Sequence, residues 1–285
     1  MARREKASPR NAARAAPPSE RPLADLDVII LCGGLGTRLR EETEVKPKPM
    51  VEIGGRPILW HIMQIYSRFG IRNFILCLGY KGEVIRDYFL NYRYNQSDLI
   101  VDLGSNSVEV VGGAPRENWR IVLADTGALT LTGARLRMAA NYLRHDRFLA
   151  TYGDGVSDID LTKLYECHLA SGRQATVTAV HPTARFGEIA IHAGQVTQFE
   201  EKPQVANGWI NGGFFVFERS VFDRFQGTSE LSLEHHMLPE LARANQLGAY
   251  HHSGFWQCMD TYRDLQLLNE LCQGRQAPWM ASDER

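Results

Sequence analysis

A doubly wound α/β sheet, mixed but mainly parallel, is the fold this 285-residue sequence predicts. Three observations carry that reading. Short apolar runs rich in β-branched residues alternate with segments of helical spacing from Asp27 to Val180. The first run empties into Gly33-Gly34-Leu35-Gly36, a strand-end loop whose bare N–H groups can approach a phosphate closely. The second half turns to shorter alternating strands punctuated by Gly and Pro, which suits a smaller β-rich half folded onto the first.

Taken in order, Val28 to Leu31 is a buried strand by its run of Val, Ile and Leu. Pro57 to Phe69 is a helix: apolar residues recur at Ile58, Leu59, Ile62, Ile65, Tyr66 and Phe69, with proline at its start and Gly70 after its end. Asn73 to Leu78 is a second buried strand, and Tyr80 to Tyr92 a helix with Val84, Ile85, Tyr88 and Phe89 on one face. Leu99 to Val101, Val108 to Val111 and Trp119 to Leu123 are shorter strands, followed by a helix over Leu131 to Leu143. Arg147 to Tyr152 (strand), Thr162 to Ala170 (helix) and Ala175 to Val180 (strand) complete the first part. Beyond it, Gly187 to His192, Gln195 to Glu200 and Gly212 to Phe217 alternate as strands, and Leu233 to Asn245 is helical. Two short strands flank Ser253-Gly254, and a last helix runs from Thr261 to Cys272. No polar linker separates the halves, so residues 25–285 are expected to form one domain, preceded by a tail over 1–24.

That tail carries Arg3, Arg4, Lys6, Arg10, Arg14 and Arg21 among Ala, Pro and Ser, and cannot bury apolar surface; it is expected to be disordered. It lacks the apolar stretch of a secretory signal, and no run of about 20 apolar residues follows anywhere. With 44% hydrophobic and 23% charged residues and a net charge of −1, nothing in bulk argues for nucleic acid or a membrane surface. Cys32, Cys77, Cys167, Cys258 and Cys272 are odd in number, widely spaced and without a CxxC pair, as expected of reduced thiols in a cytoplasmic protein.

Local chemistry is concentrated at strand ends. Thr37, Arg38 and Lys48 follow the glycine loop within a dozen residues and add a hydroxyl, a guanidinium and an ammonium, as a polyphosphate site requires. Asp154 stands between Gly153 and Gly155 at the end of a strand. There it either holds Mg²⁺ against phosphate oxygens or bonds its own backbone in a tight turn, and the residues alone leave both open. Asp260 ends another strand and is a second carboxylate for the same ion, or an N-cap of the helix that follows. Lys202, beside Glu201, is a candidate for a second phosphate; Glu201 and Asn211 are candidates for sugar hydroxyls. The pairs His235-His236 and His251-His252 lack the i, i+4 spacing of a chelating site and are expected to be structural or superficial.

These residues together resemble the sugar-1-phosphate nucleotidyltransferase family from Asp27 to Trp279. The segments that carry the resemblance are GGxGTRL at Gly33 to Leu39, KPKPMVEIGG at Lys46 to Gly55, GYKG at Gly79 to Gly82 and DTG at Asp125 to Gly127. TYGDGV at Thr151 to Val156, RFG at Arg185 to Gly187, EKP at Glu201 to Pro203, INGGFFV at Ile210 to Val216 and FWQxMDTxRD at Phe255 to Asp264 complete it. The resemblance implies a Rossmann-like nucleotidyltransferase fold, with residues to about 155 binding the nucleotide and the remainder the sugar phosphate. It also implies Mg²⁺-assisted transfer from CTP to α-D-glucose 1-phosphate, giving CDP-glucose and pyrophosphate, in a homo-oligomer expected to be a hexamer. Leu31, Gly33, Gly34, Gly36, Thr37, Arg38, Lys48, Thr126, Thr132 and Gly133 would bind the nucleotide. Arg38, Lys48 and Lys202 would be catalytic; Gly187, Glu201, Lys202 and Asn211 would bind the sugar phosphate, and Asp154 and Asp260 the metal.

Relatives that use UTP or dTTP generally lack KPKPMVEIGG and DTG together, which favours CTP over the same reaction with another nucleotide or sugar 1-phosphate. A catalytically silent subunit would have lost phosphate or metal residues, whereas Arg38, Lys48, Asp154, Lys202 and Asp260 are all present. Cys258 departs from a proline common in the resembled segment, and Glu188 from a small or apolar residue.

Overall fold

The computed structural model describes residues 23–34, 39–112, 117–182, 188–192, 195–200, 208–225 and 229–280. Seven strands form the central sheet: β1 (Asp27–Leu31), β2 (Asn73–Leu78), β3 (Arg120–Asp125), β4 (Arg147–Tyr152), β5 (Ala175–Val180), β6 (Ile210–Glu218) and β7 (Leu247–His252). Their order is β7-β5-β6-β4-β1-β2-β3. Neighbours are parallel except at β6, which runs antiparallel to both β4 and β5.

Alternation along the strands explains the double winding. Val28 and Ile30 of β1 face one core and Ile29 and Leu31 the other, as the two-residue period of a strand requires. The first core takes helix α1 (Ile58–Ser67) through Ile58, Leu59, Ile62 and Tyr66, and α2 (Gly82–Leu90) through Ile85. It also takes Leu161 and Leu164 of α4 (Leu161–Ser171), and Leu265 and Leu268 of α6 (Tyr262–Gln273). The opposite core is closed by Leu136 and Ala139 of α3 (Thr132–Ala139) and Leu241 of α5 (Leu238–Arg243). Burying an apolar side chain of this size contributes roughly 1.5–3 kcal/mol, so both cores hold the sheet flanked on each side.

Several elements differ from the sequence reading. The helix expected over Leu233 to Asn245 is a π turn (Leu233–Met237) followed by α5, because Ser232 caps it by accepting from the His235 N–H and its carbonyl takes the Met237 N–H. The helix expected over Leu131 to Leu143 stops at Ala139 and tightens to a 3₁₀ turn, Ala140–Tyr142. The one expected from Tyr80 starts at Gly82, since Lys81 is held at φ 52°. The strands over Leu99 to Val101 and Val108 to Val111 do not join the sheet but pair with each other as an exposed hairpin, Asp98–Asp102 with Ser107–Val111.

The antiparallel course of β6 matters for the site. β1, β4 and β5 arrive at one edge of the sheet with their carboxyl ends, and β6 leaves from that edge, so Ile210 and Asn211 lie level with Val180 and Ala179. At the far edge, the buried Asp27 accepts from the Arg144 backbone N–H at 2.7 Å and from its guanidinium at 2.8 Å.

Candidate active site

A cleft of about 240 Å³ opens between the carboxyl ends of β1 and β4, where the chain leaves the sheet in opposite directions. Such switch points are where ligands bind in open α/β sheets. Leu31, Cys32, Gly33, Gly34, Lys48, Pro49, Thr132, Tyr152, Gly153, Asp154 and Asp260 line it. Gly153 is required here: a Cβ would stand 2.8 Å from the Leu31 carbonyl oxygen and 3.0 Å from Pro49.

Lys48 reaches the cleft because Lys48–Met50 is a 3₁₀ turn entered through Pro47, with Pro49 and Met50 buried beneath it. Its Nζ donates to Asp154 Oδ2 at 2.7 Å and to Asp260 Oδ1 at 2.5 Å. Burial alone would lower the Lys48 pKa, but the charges and hydrogen bonds of Asp154 and then Asp260 outweigh it and raise the value. The ammonium is therefore kept charged. Lys46 points elsewhere, 3.8 Å from Glu42.

At Asp154 and Asp260 the hydrogen bonds show what each carboxylate reaches. The Asp154 carboxylate turns to Lys48, while its carbonyl accepts the Met259 N–H at 2.8 Å and ties the two strand ends together. Asp260 is not the cap of α6. Thr261 is, in a capping box with Asp264, whose Oδ2 accepts the backbone N–H groups of Asp260 and Thr261 at 3.1 and 2.8 Å. The Asp260 side chain is left for the cleft. Two carboxylates from distant strand ends meet at the same ammonium, and their oxygens are the donors that a hard divalent cation takes. Among the described residues no group of three or more His, Cys, Asp or Glu converges, so such an ion would draw its other ligands from phosphate and water.

Of the residues expected to bind the nucleotide, Leu31, Gly33, Gly34, Lys48 and Thr132 line the cleft. Two expected nucleotide residues do not. Thr126 is buried, its hydroxyl donating to the Leu78 carbonyl at 2.7 Å and accepting from Arg135 at 2.6 Å. Gly133 is a packing glycine, since a Cβ would lie 2.8 Å from Met237 Sδ and 2.9 Å from the Leu231 carbonyl oxygen. Asn211 stands beside the cleft, its Nδ2 3.2 Å from the Tyr152 hydroxyl. Gly36, Thr37, Arg38, Gly187, Glu201 and Lys202 lie outside the described residues.

Four further residues escape a reading from sequence. Arg135, buried on α3, donates to the carbonyls of Leu78 and Ala128 at 3.0 and 3.2 Å and packs directly beneath Gly33 and Gly79. It thereby fastens the loops after β1, β2 and β3 under one guanidinium. Burial lowers its pKa without discharging a group that titrates so high. Tyr152 and Glu234 join across the cleft at 2.7 Å, and Asp264 fixes the backbone of Asp260. The only signal for Arg135 is an arginine between the buried Ala134 and Leu136; Glu234 has none, because two of its partners, Tyr152 and Thr132, lie 82 and 102 residues away. Cys258 holds its Sγ 3.7 Å from Asp260 Oδ2.

Known proteins resemble the chain both in sequence and in fold. The family model described as nucleotidyl transferase matches residues 27–266. The glucose-1-phosphate cytidylyltransferase of Salmonella typhimurium (strain LT2) is 49% identical over 255 residues, covering 89% of this chain and 98% of that one. A "Probable glucose-1-phosphate cytidylyltransferase" of Bacillus subtilis (strain 168) is 41% identical over 254 residues, covering 89% and 99%. Among solved structures, HddC from Yersinia pseudotuberculosis superposes with a TM-score of 0.62 at 24% identity, covering 86% of this chain and 98% of that one, a likeness of fold.

Proposed function

The chain belongs to the nucleotidyl transferase family, and from that premise we propose that it condenses CTP with α-D-glucose 1-phosphate to give CDP-glucose and pyrophosphate. The observation that carries the reading is the Lys48 ammonium bound between Asp154 and Asp260 at the mouth of a glycine-loop cleft. It is a phosphate-binding cation beside a carboxylate pair, which is what phosphoryl chemistry needs at a strand end.

In this reading Leu31, Gly33 and Gly34 cradle the triphosphate with their backbone, and Lys48 neutralises it. Gly36, Thr37 and Arg38 extend that cradle, Lys202 meets the sugar phosphate, and Gly187, Glu201 and Asn211 hold the hexose; apart from Asn211, these assignments rest on the resemblance of their segments. Thr132 bounds the cleft on the nucleotide side, while Thr126 and Gly133 serve it by packing. Residues to about 155 thus act on the nucleotide and those beyond on the sugar phosphate. An oxygen of the sugar 1-phosphate attacks the α-phosphorus of CTP in line. A P–O bond forms there, and the bond from that phosphorus to the oxygen bridging to the β-phosphate breaks, releasing pyrophosphate. No covalent intermediate with the chain is required; Lys48, Arg38 and Lys202 position the phosphates and offset their charge. Mg²⁺ held by Asp154 and Asp260 would supply further positive charge against the phosphate oxygens.

Two broader assignments follow. The exposed hairpin Asp98–Val111 carries Ile100, Val101 and Val108, each more than half exposed, and an isolated two-stranded hairpin is marginal in water. This supports a homo-oligomer, and we take the hexamer as the expected state. No helix among the described residues is long and apolar enough to cross a membrane, and all five cysteines are free thiols, which suits action in the cytoplasm.

The test is a panel of CTP, UTP, dTTP and GTP with glucose 1-phosphate, scored by pyrophosphate release and by identification of the nucleotide sugar. CTP is expected to be preferred, and Lys48→Ala or Asp154→Ala to lower turnover by at least ~100-fold. Activity with UTP or dTTP but not CTP would overturn the choice of nucleotide. Near-normal turnover in either folded variant would overturn the site.

A further inference from the structure

We propose that Tyr152 and Glu234 are positioning residues that orient the carboxamide of Asn211, and through it set which sugar 1-phosphate the site accepts. The inference rests on the reading above that Asn211 meets the hexose.

Asn211 is exposed at the entrance of β6, and both ends of its side chain are already addressed. Oδ1 accepts the Gly213 N–H at 2.8 Å, and Nδ2 donates to the Tyr152 hydroxyl at 3.2 Å. A backbone N–H can only donate, so the oxygen must face Gly213 and the nitrogen must face Tyr152. That arrangement holds only if the tyrosine hydroxyl directs a lone pair, not its proton, at Asn211. Glu234 settles the matter. Its Oε1 lies 2.7 Å from the Tyr152 hydroxyl, and an ionised carboxylate only accepts, so the single phenolic proton is drawn toward it.

The carboxylate is itself fixed from two other sides. Thr132 donates to Oε2 at 2.6 Å and Ser232 at 2.9 Å. Thr132 cannot turn away, because its oxygen accepts the Leu233 N–H at 2.9 Å. Burial works against the charge on Glu234, but the hydrogen bonds from Thr132 and Tyr152 prevail and hold its pKa below the usual carboxylate range. The phenolic proton of Tyr152 is thus assigned by its two neighbours, Glu234 accepting it and Asn211 donating to the same oxygen. The backbone is shaped around the same ring: Gly213 has φ +79°, and a Cβ there would stand 2.6 Å from Tyr152 Cδ2.

The result is a polarity relay of fixed direction. It leaves one N–H of Nδ2 and one lone pair of Oδ1 on Asn211 as an adjacent donor and acceptor, a match for a sugar hydroxyl of one orientation. Neither Tyr152 nor Glu234 needs to touch the sugar. Without the relay the carboxamide keeps only its Gly213 contact and loses the partner that holds Nδ2, and a site whose donor is no longer fixed loses discrimination between epimers.

Steady-state kinetics of Tyr152→Phe, Glu234→Gln and Asn211→Ala in the full chain test this, with CTP and the 1-phosphates of glucose, galactose and mannose. Tyr152→Phe keeps the ring packing and removes only the hydroxyl. It is expected to raise KM for glucose 1-phosphate roughly 5- to 20-fold and to reduce the preference for glucose over its epimers by a similar factor, with KM for CTP within about twofold. Glu234→Gln, which offers the tyrosine a donor, should reproduce the loss of discrimination. Unchanged sugar KM in Asn211→Ala would overturn the assignment of Asn211 and the proposal with it. A raised sugar KM in Asn211→Ala, with unchanged discrimination in folded Tyr152→Phe and Glu234→Gln, would overturn the relay alone. Equal effects on the KM values for CTP and sugar would also overturn it, leaving a merely structural role.

Discussion

His61 shows how firmly single protonation states are written into this chain. Its Nε2–H donates to the Ile53 carbonyl at 2.8 Å, and its Nδ1 accepts from the Trp279 indole N–H at 3.2 Å, so the ring is held as one neutral tautomer. Burial pushes its pKa down to about 4, against the Ile53 carbonyl and with help from Arg56. The unfolded chain therefore takes up this proton first on acidification, and the stability contributed by neutral His61 is present above about pH 6.5 and lost as pH falls toward 4, on the order of 3 kcal/mol. His168, also lowered by burial, acts in the same direction. Thermal melts from pH 7 to 4.5 should show a falling Tm, with a shallower slope in His61→Gln; equal slopes would discount His61. At this scale the sequence was most legible where chemistry is local. Lys48 stands between prolines, Asp154 between glycines at a strand end, and Asp260 between a short apolar run and a helix start. Arg135 and Glu234 are less legible, because what they do is defined mainly by partners brought close by the fold, and nothing in the DTG segment signals that the Thr126 hydroxyl bonds that same Arg135.

Among the elements, α6 carries the most consequence. Its capping box does more than start a helix, since Asp264 also accepts from the Asp260 N–H and from Gln257 Nε2 at 3.0 Å. Asp264→Ala is expected to cost about 1–2 kcal/mol of stability, as loss of a cap does, and to raise the divalent-cation concentration needed for half-maximal activity. A variant with lowered Tm and an unchanged metal requirement would confine Asp264 to the helix. The start of this helix at Thr261 could be read from sequence because capping chemistry is local. The break after Met237 could not: the π turn there is made by Ser232, whose side chain and carbonyl together redirect three N–H groups' worth of backbone around Glu234. Likewise, the apolar spacing at Leu99 to Val101 signals a strand but not its partner, and the partner here is the next strand and not the sheet.

For the whole molecule, the alternation of strands and helices correctly indicated a doubly wound sheet, since each apolar face must find cover. Periodicity carries no information about direction, so the antiparallel insertion of β6 between β4 and β5 was invisible. Assembly is the prediction that belongs here. If the Asp98–Val111 hairpin packs on a second copy, replacing Ile100 and Val108 together with lysine should shift the mass measured by light scattering toward the monomer. An unchanged mass would place the contact elsewhere.

The reversed strand has a bearing on how such a site can vary. β6 is locked by register to two neighbours over Ile210 to Glu218, with Phe214 opposite Thr151 and Phe215 opposite Ala150. Asn211 lies just inside that lock, opposite Ala179, and Gly208 and Trp209 precede it. Residues added or deleted before Ile210 would leave that register, and with it the pairing of the sheet, unchanged. Under the proposed function, the approach to β6 can thus change length while Asp154 and Asp260 stay in place, which makes it the natural point of entry for redesign toward other sugars.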